Sequence, residues 1–338
     1  MSFLIYNILM NLIEAFEQNL TEGIDMSAPD KTIETIISKI FFYNETVYKI
    51  YKYKKFFFGD FASSEFRKNF YGEDFYWNNK MAPNVYLALR GVKKSGKKYK
   101  FTELADAEDF FIKMKKFDDN KNLTNLLLNG EVSGSELARV AEEMILRLRD
   151  LTKSRKSRYT AYFHRDLMDI HFEDLEGDRN LMYMISDFVL KSKVDKIIDA
   201  VKAASAKDDY YKRFNSNNLS VLIDNHADNI VFLNNQIEFI DVLPPKESWR
   251  VGDLNFAVCR LATDAAVLDS PNLAEAVYNN CAPIPDKIKA IYETRSALIQ
   301  TWCFYSVNKP DIAKKYLCFA EEKAALFGRG YFQPDLRS

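Results

Sequence analysis

Sequence patterns typical of β-strands are concentrated in the first third of the chain, and helical patterns fill most of the remainder. Runs of β-branched and aromatic residues predict strands over residues 35–42, 46–53, 85–92, 99–102 and 110–114. The triplet Tyr43-Asn44-Glu45 and the basic segment KKSGKK form the turns of two predicted hairpins, and a helix is predicted over 62–80. This order predicts an α+β fold with two lobes, the first rich in strands and the second mostly helical.

The second lobe contains one exception to its helical character. Helices are predicted over residues 133–151, 181–204, 253–268, 286–307 and 311–326, the first opened by a capping box of Ser133 and Glu136. Between them, the apolar runs IVFL and IEFIDV flank Asn234-Asn235, which is a two-residue turn signal. We therefore divide the chain into a helical N-terminal extension (1–30), a β-rich lobe (31–116) and a helical lobe (117–338) that carries a hairpin at 219–242.

Composition argues against several classes of protein. The 47 Lys and Arg residues are balanced by 48 Asp and Glu residues, so we expect no nucleic-acid partner. Four scattered cysteines and three histidines do not have the spacing of a zinc site. The N-terminal run MSFLIYNILMNLIEAF has no preceding basic residue and is too short to span a bilayer. We predict an amphipathic helix there, in a cytoplasmic protein without a membrane span.

The predicted hairpin carries three polar side chains at defined positions. Asp224 is followed five residues later by Asn229, directly before the first strand, and Asp241 lies at the end of the second strand. Phosphoryl transfer needs a carboxylate that orients or deprotonates the acceptor hydroxyl, together with oxygen ligands for a metal ion. In kinase-like sites these groups occur in this order. Taken alone, the segment is equally compatible with a surface hairpin whose Asp and Asn residues only form turns.

A second loop competes for the same chemistry. His164-Arg165-Asp166-Leu167 reproduces the catalytic tetrapeptide of eukaryotic protein kinases, and Asp187-Phe188 resembles an altered metal-binding motif. However, the residue five positions after Asp166 is His171, which is a poor ligand for Mg²⁺. Asp187 also falls inside a predicted helix. We therefore favour Asp224 over Asp166.

Several segments of the chain match the sequence motifs of one protein family, in the same order along the chain. Residues 34–89, from ETIISK to NVYLAL, match it without a gap, and further matches follow at Ile112-Lys113-Met114, LTNLLLNGEVS, 221–230, 240–242 and 250–256. The chain thus resembles the aminoglycoside phosphotransferase-like, kinase-fold proteins of bacteria. It is most similar to an uncharacterised branch that is often fused to a P-loop kinase domain. No P-loop motif GxxxxGK[ST] occurs in this chain.

The resemblance implies a protein-kinase-like fold and an ATP-dependent phosphotransferase with Mg²⁺ as the metal. The acceptor would be an unidentified hydroxyl group of a small molecule or a protein. Asp224 corresponds to the catalytic base, and Asn229 and Asp241 correspond to the metal ligands.

The resemblance also implies a nucleotide site in the first lobe. Lys49 corresponds to the strand lysine that holds the α- and β-phosphates, although the pattern alone would favour an exposed lysine on a basic hairpin. Its acidic partner is Glu73 according to the apolar stripe of the predicted helix, and Asp74 according to the alignment. Met114 would lie in the hinge segment that binds adenine, and a buried strand methionine is the alternative.

Three positions depart from the family pattern. Leu222 and Ile223 replace the histidine and glycine that precede the catalytic aspartate, and Asp228 adds a negative charge beside Asn229. The three groups required for phosphoryl chemistry are retained, so an active enzyme is our first interpretation. A nucleotide-binding pseudokinase or scaffold without turnover is the second, and a helical interaction protein with an inert hairpin is the third.

Overall fold

The computed structural model describes residues 10–23, 28–213 and 219–328, and the chain divides into two compact units. The N-terminal unit ends at Asp118 and the C-terminal unit begins at Asp119, two residues after the predicted lobe boundary. The first unit contains most of the strands and the second is mostly helical, which confirms the predicted α+β fold class. Parts of the predicted N-terminal extension, residues 1–9 and 24–27, lie outside the described residues.

The N-terminal unit is built on a six-stranded antiparallel sheet. The strands of the whole unit are β1 (Lys31–Glu34), β2 (Ser38–Tyr43), β3 (Thr46–Tyr51), β4 (Lys55–Phe56), β5 (Gly59–Asp60), β6 (Tyr86–Ser95), β7 (Lys98–Thr102) and β8 (Asp109–Lys115). The order across the sheet is β1-β2-β3-β8-β6-β7, while β4 and β5 form a separate small ribbon. Asn44 has a φ of 48° in the turn between β2 and β3, a conformation that asparagine tolerates well. Both predicted hairpins are confirmed.

Two helices cover this sheet. In α1 (Leu12–Glu17) a capping box of Asn11 and Glu14 starts the helix. Its apolar face buries Phe16 against Phe41 and Phe111 of the sheet. The second helix, α2 (Ser64–Met81), is capped by Ser63 and packs against β6 and β8.

The C-terminal unit contains the remaining helices. They are α3 (Leu123–Leu128), α4 (Gly134–Arg155), α5 (Thr160–Phe163), α6 (Leu167–Tyr183), α7 (Lys191–Ala206), α8 (Asp209–Arg213), α9 (Leu254–Leu268), α10 (Pro271–Tyr278), α11 (Asp286–Ser306) and α12 (Pro310–Gly328). The capping box of Ser133 and Glu136 at the start of α4 is confirmed. The helix predicted around 181–204 is confirmed as α7 but begins later than predicted, because α6 ends at Tyr183 and the chain turns before Lys191.

Four short strands in the C-terminal unit frame the predicted hairpin. They are β9 (Leu219–Val221), β10 (Ile230–Leu233), β11 (Gln236–Phe239) and β12 (Val251–Asp253). β10 pairs with β11 through a turn in which Asn234 and Asn235 have φ values of 50° and 63°, as a type I′ turn requires. β9 pairs with β12, which leads directly into α9. Among the described residues, no helix has the length and hydropathy needed to cross a bilayer.

Candidate active site

The loop after β9 and the end of β11 are held together by main-chain hydrogen bonds. The Asp224 N–H donates to the Val242 carbonyl at 2.9 Å, and the Ile240 N–H donates to the Asn229 carbonyl at 2.8 Å. A short 3₁₀ turn, Ala227–Asn229, connects the loop to β10. The structure thereby brings the three polar residues of the predicted hairpin, Asp224, Asn229 and Asp241, into one cluster.

Asn229 links the other two members of this cluster. Its Nδ2 donates to the Asp224 carbonyl at 2.8 Å and to the Asp241 carbonyl at 3.3 Å. An amide nitrogen has two hydrogens, so both donors are in use and the Oδ1 atom remains as an acceptor. An amide oxygen is a ligand type that Mg²⁺ accepts.

Asp241 has an unusual main-chain conformation. Its φ of 51° lies in the left-handed region, which non-glycine residues adopt rarely and at a cost of about 1–3 kcal/mol. The residues around it are fixed by burial, since Phe239 and Val242 are fully buried. Strain of this kind is concentrated at functional sites, where surrounding packing maintains it.

The Asp224 carboxylate is held from the side of α9. Arg260 donates from Nη2 to Asp224 Oδ1 at 2.5 Å, while the nearest nitrogen of His226 lies 3.8 Å from Oδ2. Burial, the largest single effect, lowers the pKa of Arg260, but the charge and hydrogen bond of Asp224 together with the charges of Cys303 and Asp264 outweigh it and raise the pKa. The Asp224 side chain is 31% exposed, which leaves room for a bound molecule.

A second residue of α9 supports the same loop. Asp264 is fully buried and accepts hydrogen bonds from the Ala227 N–H at 2.7 Å, the Tyr316 hydroxyl at 2.7 Å and Gln300 Nε2 at 3.1 Å. Neither Arg260 nor Asp264 was predicted as a site residue from the sequence. Opposite charges four residues apart do interrupt the mostly apolar α9 sequence LNFAVCRLATDAAVL, but that spacing is equally typical of an exposed helical ion pair.

The start of α9 is anchored by a third carboxylate. Asp253 caps the helix by accepting from the Asn255 N–H, and it also accepts from the hydroxyls of Tyr210 and Tyr292 at 2.6 Å and 2.8 Å. Burial raises the pKa of Asp253. These bonds fix the helix whose later residues contact the loop.

In the N-terminal unit, Lys49 is buried and not exposed on a basic hairpin. Its side chain is 2% exposed, and its Nζ lies 3.7 Å from Asp74 Oδ2. Asp74 also accepts from the Tyr51 hydroxyl at 2.5 Å and from Asn78 Nδ2 at 2.8 Å. The exposed-lysine interpretation is therefore wrong, because β3 places Lys49 inside the unit.

The two predicted acidic partners differ in their surroundings. The buried stripe of α2 consists of Arg67, Phe70, Tyr71, Asp74, Trp77, Asn78 and Met81. Asp74 lies in the middle of this stripe, whereas Glu73 is half-buried and accepts from Trp77 Nε1 at 3.2 Å. The buried face of α2 predicted from apolar residues is therefore rotated by about one residue from the observed one, because the observed face includes polar residues such as Asp74 and Asn78.

Met114 lies in β8 and is 7% exposed. Its strand neighbours are Val47 of β3 and Tyr86 of β6. The contribution of Met114 to adenine binding stays a prediction.

The described residues include no group of three or more His, Cys, Asp or Glu side chains arranged to hold a metal ion. Asn229 and Asp241, which are joined through the Asp241 carbonyl, carry an amide oxygen and a carboxylate, two ligand types that Mg²⁺ accepts. Mg²⁺ typically takes one or two protein ligands and completes its shell with phosphate and water. The pair therefore fits Mg²⁺ that arrives with a nucleotide better than a permanently bound metal.

The rival loop forms local structure. Asp166 caps α6 by accepting from the N–H groups of Met168 and Asp169. His171 is buried in the same helix with its Nε2 2.8 Å from Ser205 Oγ. Asp187 lies in a turn, not in the predicted helix, and accepts from the Tyr305 hydroxyl at 2.7 Å.

Comparisons with known proteins identify the fold. No protein-family model and no curated protein sequence matches this chain. Among solved structures, the chain resembles the GDP and kanamycin complex of the aminoglycoside phosphotransferase APH(2″)-IIIa, with a TM-score of 0.53 and 11% identity over 93% of this chain and 98% of that one. It also resembles a mutant aminoglycoside 2′-phosphotransferase-IIIa bound to GDP, with a TM-score of 0.51 and 12% identity over 90% of this chain and 94% of the other.

A choline kinase from Cryptosporidium parvum Iowa II matches with a TM-score of 0.45 and 14% identity over 94% of both chains. At the identities of the first two matches, the similarity identifies the fold alone. The chain has the kinase-like α+β fold of the aminoglycoside phosphotransferases, as predicted, while the relation to the branch fused to a P-loop kinase stays a prediction.

Proposed function

We propose that this protein is an ATP-dependent phosphotransferase that moves the γ-phosphoryl group to a hydroxyl group of a small molecule or a protein. The observation that carries the proposal is the Asn229 amide. It donates to the main-chain carbonyls of both Asp224 and Asp241, which brings the three residues together, and its own oxygen remains as an acceptor. A surface hairpin whose polar residues only form turns does not need this connection.

In the proposed reaction, Asp224 accepts a hydrogen bond from the acceptor hydroxyl and orients it. As the hydroxyl oxygen bonds to the γ-phosphorus of ATP, the bond from that phosphorus to the β–γ bridging oxygen breaks, ADP leaves, and Asp224 takes up the hydroxyl proton. Asn229 and Asp241 would hold Mg²⁺. When bound, this ion neutralises charge on the nucleotide phosphates. The strained main chain at Asp241 supports a specific role for that carboxylate.

Lys49 would bind the α- and β-phosphates of the nucleotide. A buried ammonium group is stable only with a partner, and Asp74 supplies the opposite charge at 3.7 Å. The Tyr51 hydroxyl and Asn78 fix the orientation of that carboxylate, so Lys49 is held in a defined place before any ligand arrives. Met114 is the proposed adenine contact.

The test measures phosphate transfer from radiolabelled ATP, with Mg²⁺, across a library of hydroxyl acceptors. GTP is tested in parallel, because the two aminoglycoside phosphotransferase structures described above are GDP complexes. We expect turnover in the wild type and a loss of at least about 100-fold in Asp224→Ala and Asp241→Ala. Asp166→Ala is the matched control, since it removes a helix cap and should retain turnover.

The outcomes separate the interpretations. Loss of turnover in Asp166→Ala with full turnover in Asp224→Ala would assign the chemistry to the other loop. A pseudokinase would gain thermal stability from Mg²⁺ and ATP without turnover, because ligand binding stabilises the native state. This outcome would be consistent with the replacement of the usual histidine and glycine by Leu222 and Ile223.

A further inference from the structure

Arg260 makes one hydrogen-bonding contact among the described residues, and that contact is with Asp224. The guanidinium is buried, with 8% of the side chain exposed, and its Nη2 donates to Asp224 Oδ1 at 2.5 Å. Its Nε is also buried and has no acceptor within the described part of the chain. A buried donor without an acceptor lowers stability, so this geometry is not optimal for the fold.

Arg250 shows how an arginine with a structural role differs. It is equally buried, and each of its three nitrogens donates, to the carbonyls of Pro244 and Pro245 and to the Tyr159 hydroxyl. These bonds connect separate chain segments. Arg260 instead uses its strong, charge-assisted bond on the one carboxylate to which we assign the reaction.

The charge of Arg260 also acts on two acidic residues that it does not bond to. Besides Asp224 in the loop, its charge acts on Asp178 of α6 and on Asp264 of α9. Burial raises the pKa of both carboxyls, and the positive charge of Arg260 opposes that rise. The guanidinium is therefore attracted to acidic groups on three elements, while Asp178 is also bonded to Arg295 at 2.8 Å. The contact that fixes the guanidinium is its 2.5 Å bond to Asp224 Oδ1, made inside the protein where only 8% of the Arg260 side chain is exposed.

We propose that Arg260 is a positioning residue, which fixes the Asp224 carboxylate through Oδ1 so that Oδ2 is directed to the acceptor hydroxyl. This inference rests on the proposed function. Nη2 of Arg260 lies 2.5 Å from Oδ1, while Nε2 of His226 lies 3.8 Å from Oδ2, beyond hydrogen-bonding distance. In the resulting assignment, one oxygen of Asp224 binds the protein and the other binds the substrate.

The test compares Arg260→Gln and Arg260→Lys with the wild type in steady-state phosphate transfer, with rates normalised to folded protein. A carboxylate displaced by about 1 Å loses about 100-fold in rate, so we expect kcat of Arg260→Gln to fall by about that factor. The KM for ATP should change by less than threefold, because Arg260 contacts no residue assigned to the nucleotide. Arg260→Lys keeps a donor and a charge, so its kcat should be about tenfold higher than that of Arg260→Gln.

Arg67→Lys is the control for removal of a buried arginine that pairs with a carboxylate. Arg67 lies 3.5 Å from Asp109 in the N-terminal unit and contacts no proposed catalytic group. It should lower stability and leave kcat of the folded protein unchanged. A crystal structure of Arg260→Gln should show the Asp224 carboxylate rotated from its wild-type orientation.

Each result has a distinct meaning. Wild-type turnover with an unchanged kcat in Arg260→Gln, or an unchanged Asp224 orientation in that variant, would overturn the positioning role while leaving the proposed function intact. A wild type without turnover on any acceptor would overturn the proposed function, and this inference with it. If Arg260→Gln does not fold, the kcat of Arg260→Lys decides: an unchanged value overturns the role and a tenfold loss supports it.

Discussion

The buried pair of Lys49 and Asp74 allows a quantitative test of the N-terminal part of the proposed site. Both side chains are at most 2% exposed, and the charged atoms are 3.7 Å apart. Lys49→Met removes the ammonium group, and Asp74→Asn removes the negative charge while keeping an oxygen that can accept from Tyr51 or Asn78. We combine the two changes in a double-mutant cycle.

The expected magnitude follows from the distance. Two unit charges 3.7 Å apart attract each other by about 4.5 kcal/mol at an effective dielectric constant of about 20, which sets the scale of the coupling energy. Each single variant leaves an uncompensated buried charge, so each should lower the free energy of unfolding by about 3–5 kcal/mol. The double variant removes both charges and should be less destabilised than the sum, by at least about 2 kcal/mol.

The assay is denaturant unfolding followed by the fluorescence of Trp77, which is buried in the same helix as Asp74. Trp249 and Trp302 lie in the C-terminal unit and would be changed to Phe, so that the signal reports the N-terminal unit alone. Glu73→Gln is the matched control and should change stability by less than about 1 kcal/mol, because a glutamine can still accept from Trp77. A coupling energy below about 0.5 kcal/mol would refute the buried ion pair.

Two further predictions concern carboxyls of the C-terminal unit, Asp264, which is fully buried, and Asp174, whose side chain is 22% exposed. Asp264→Asn replaces one of two acceptor oxygens with a donor, so it should lower the free energy of unfolding by about 1–3 kcal/mol, more than Tyr316→Phe does; equal stability of Asp264→Asn and the wild type in denaturant titration would contradict this. Burial raises the pKa of Asp174 from 3.8 to about 6, although Arg295 opposes the rise. Between pH 3.8 and about 6, the Asp174 carboxyl is protonated in the folded protein and ionised in the unfolded chain. The contribution of this group to the free energy of unfolding is therefore greatest below pH 3.8, and it falls by at most about 3 kcal/mol as the pH rises to about 6. Asp174→Asn should lack this loss, and a stability difference between the two proteins that does not change with pH would contradict the assignment.

The turns were predictable because their signals are local. Asn44 and the pair Asn234-Asn235 adopt positive φ values at the predicted positions, and Ser133 forms its capping box with Glu136. In each case the residue type has a physical reason to adopt that conformation without help from the rest of the protein. The hairpin that brings Asp224, Asn229 and Asp241 together depends on such a turn.

The support of the site was not predictable, because it depends on contacts between distant residues. Asp74 is buried because β3 brings Lys49 and Tyr51 into contact with it. The spacing of apolar residues along the sequence does not indicate that contact. Arg260 and Asp264, four residues apart on one helix, have the pattern of an exposed helical ion pair. They are buried instead because each bonds to the loop that contains Asp224 and Ala227.

The two aspartate loops show why a short motif does not determine a role. Asp166 occurs in the tetrapeptide His164-Arg165-Asp166-Leu167, yet its carboxylate accepts from two main-chain N–H groups and starts a helix. Asp224 lacks the expected preceding histidine, but its carboxylate bonds to Arg260 through Oδ1 and caps no helix. The Asp166 oxygen that accepts from two main-chain N–H groups already has a structural role. The Asp224 carboxylate is partly exposed, so its second oxygen can accept a hydrogen bond from a substrate hydroxyl. Whether a loop can catalyse therefore depends on where its carboxylate oxygens are already bonded, which in this chain favours the loop with the poorer motif.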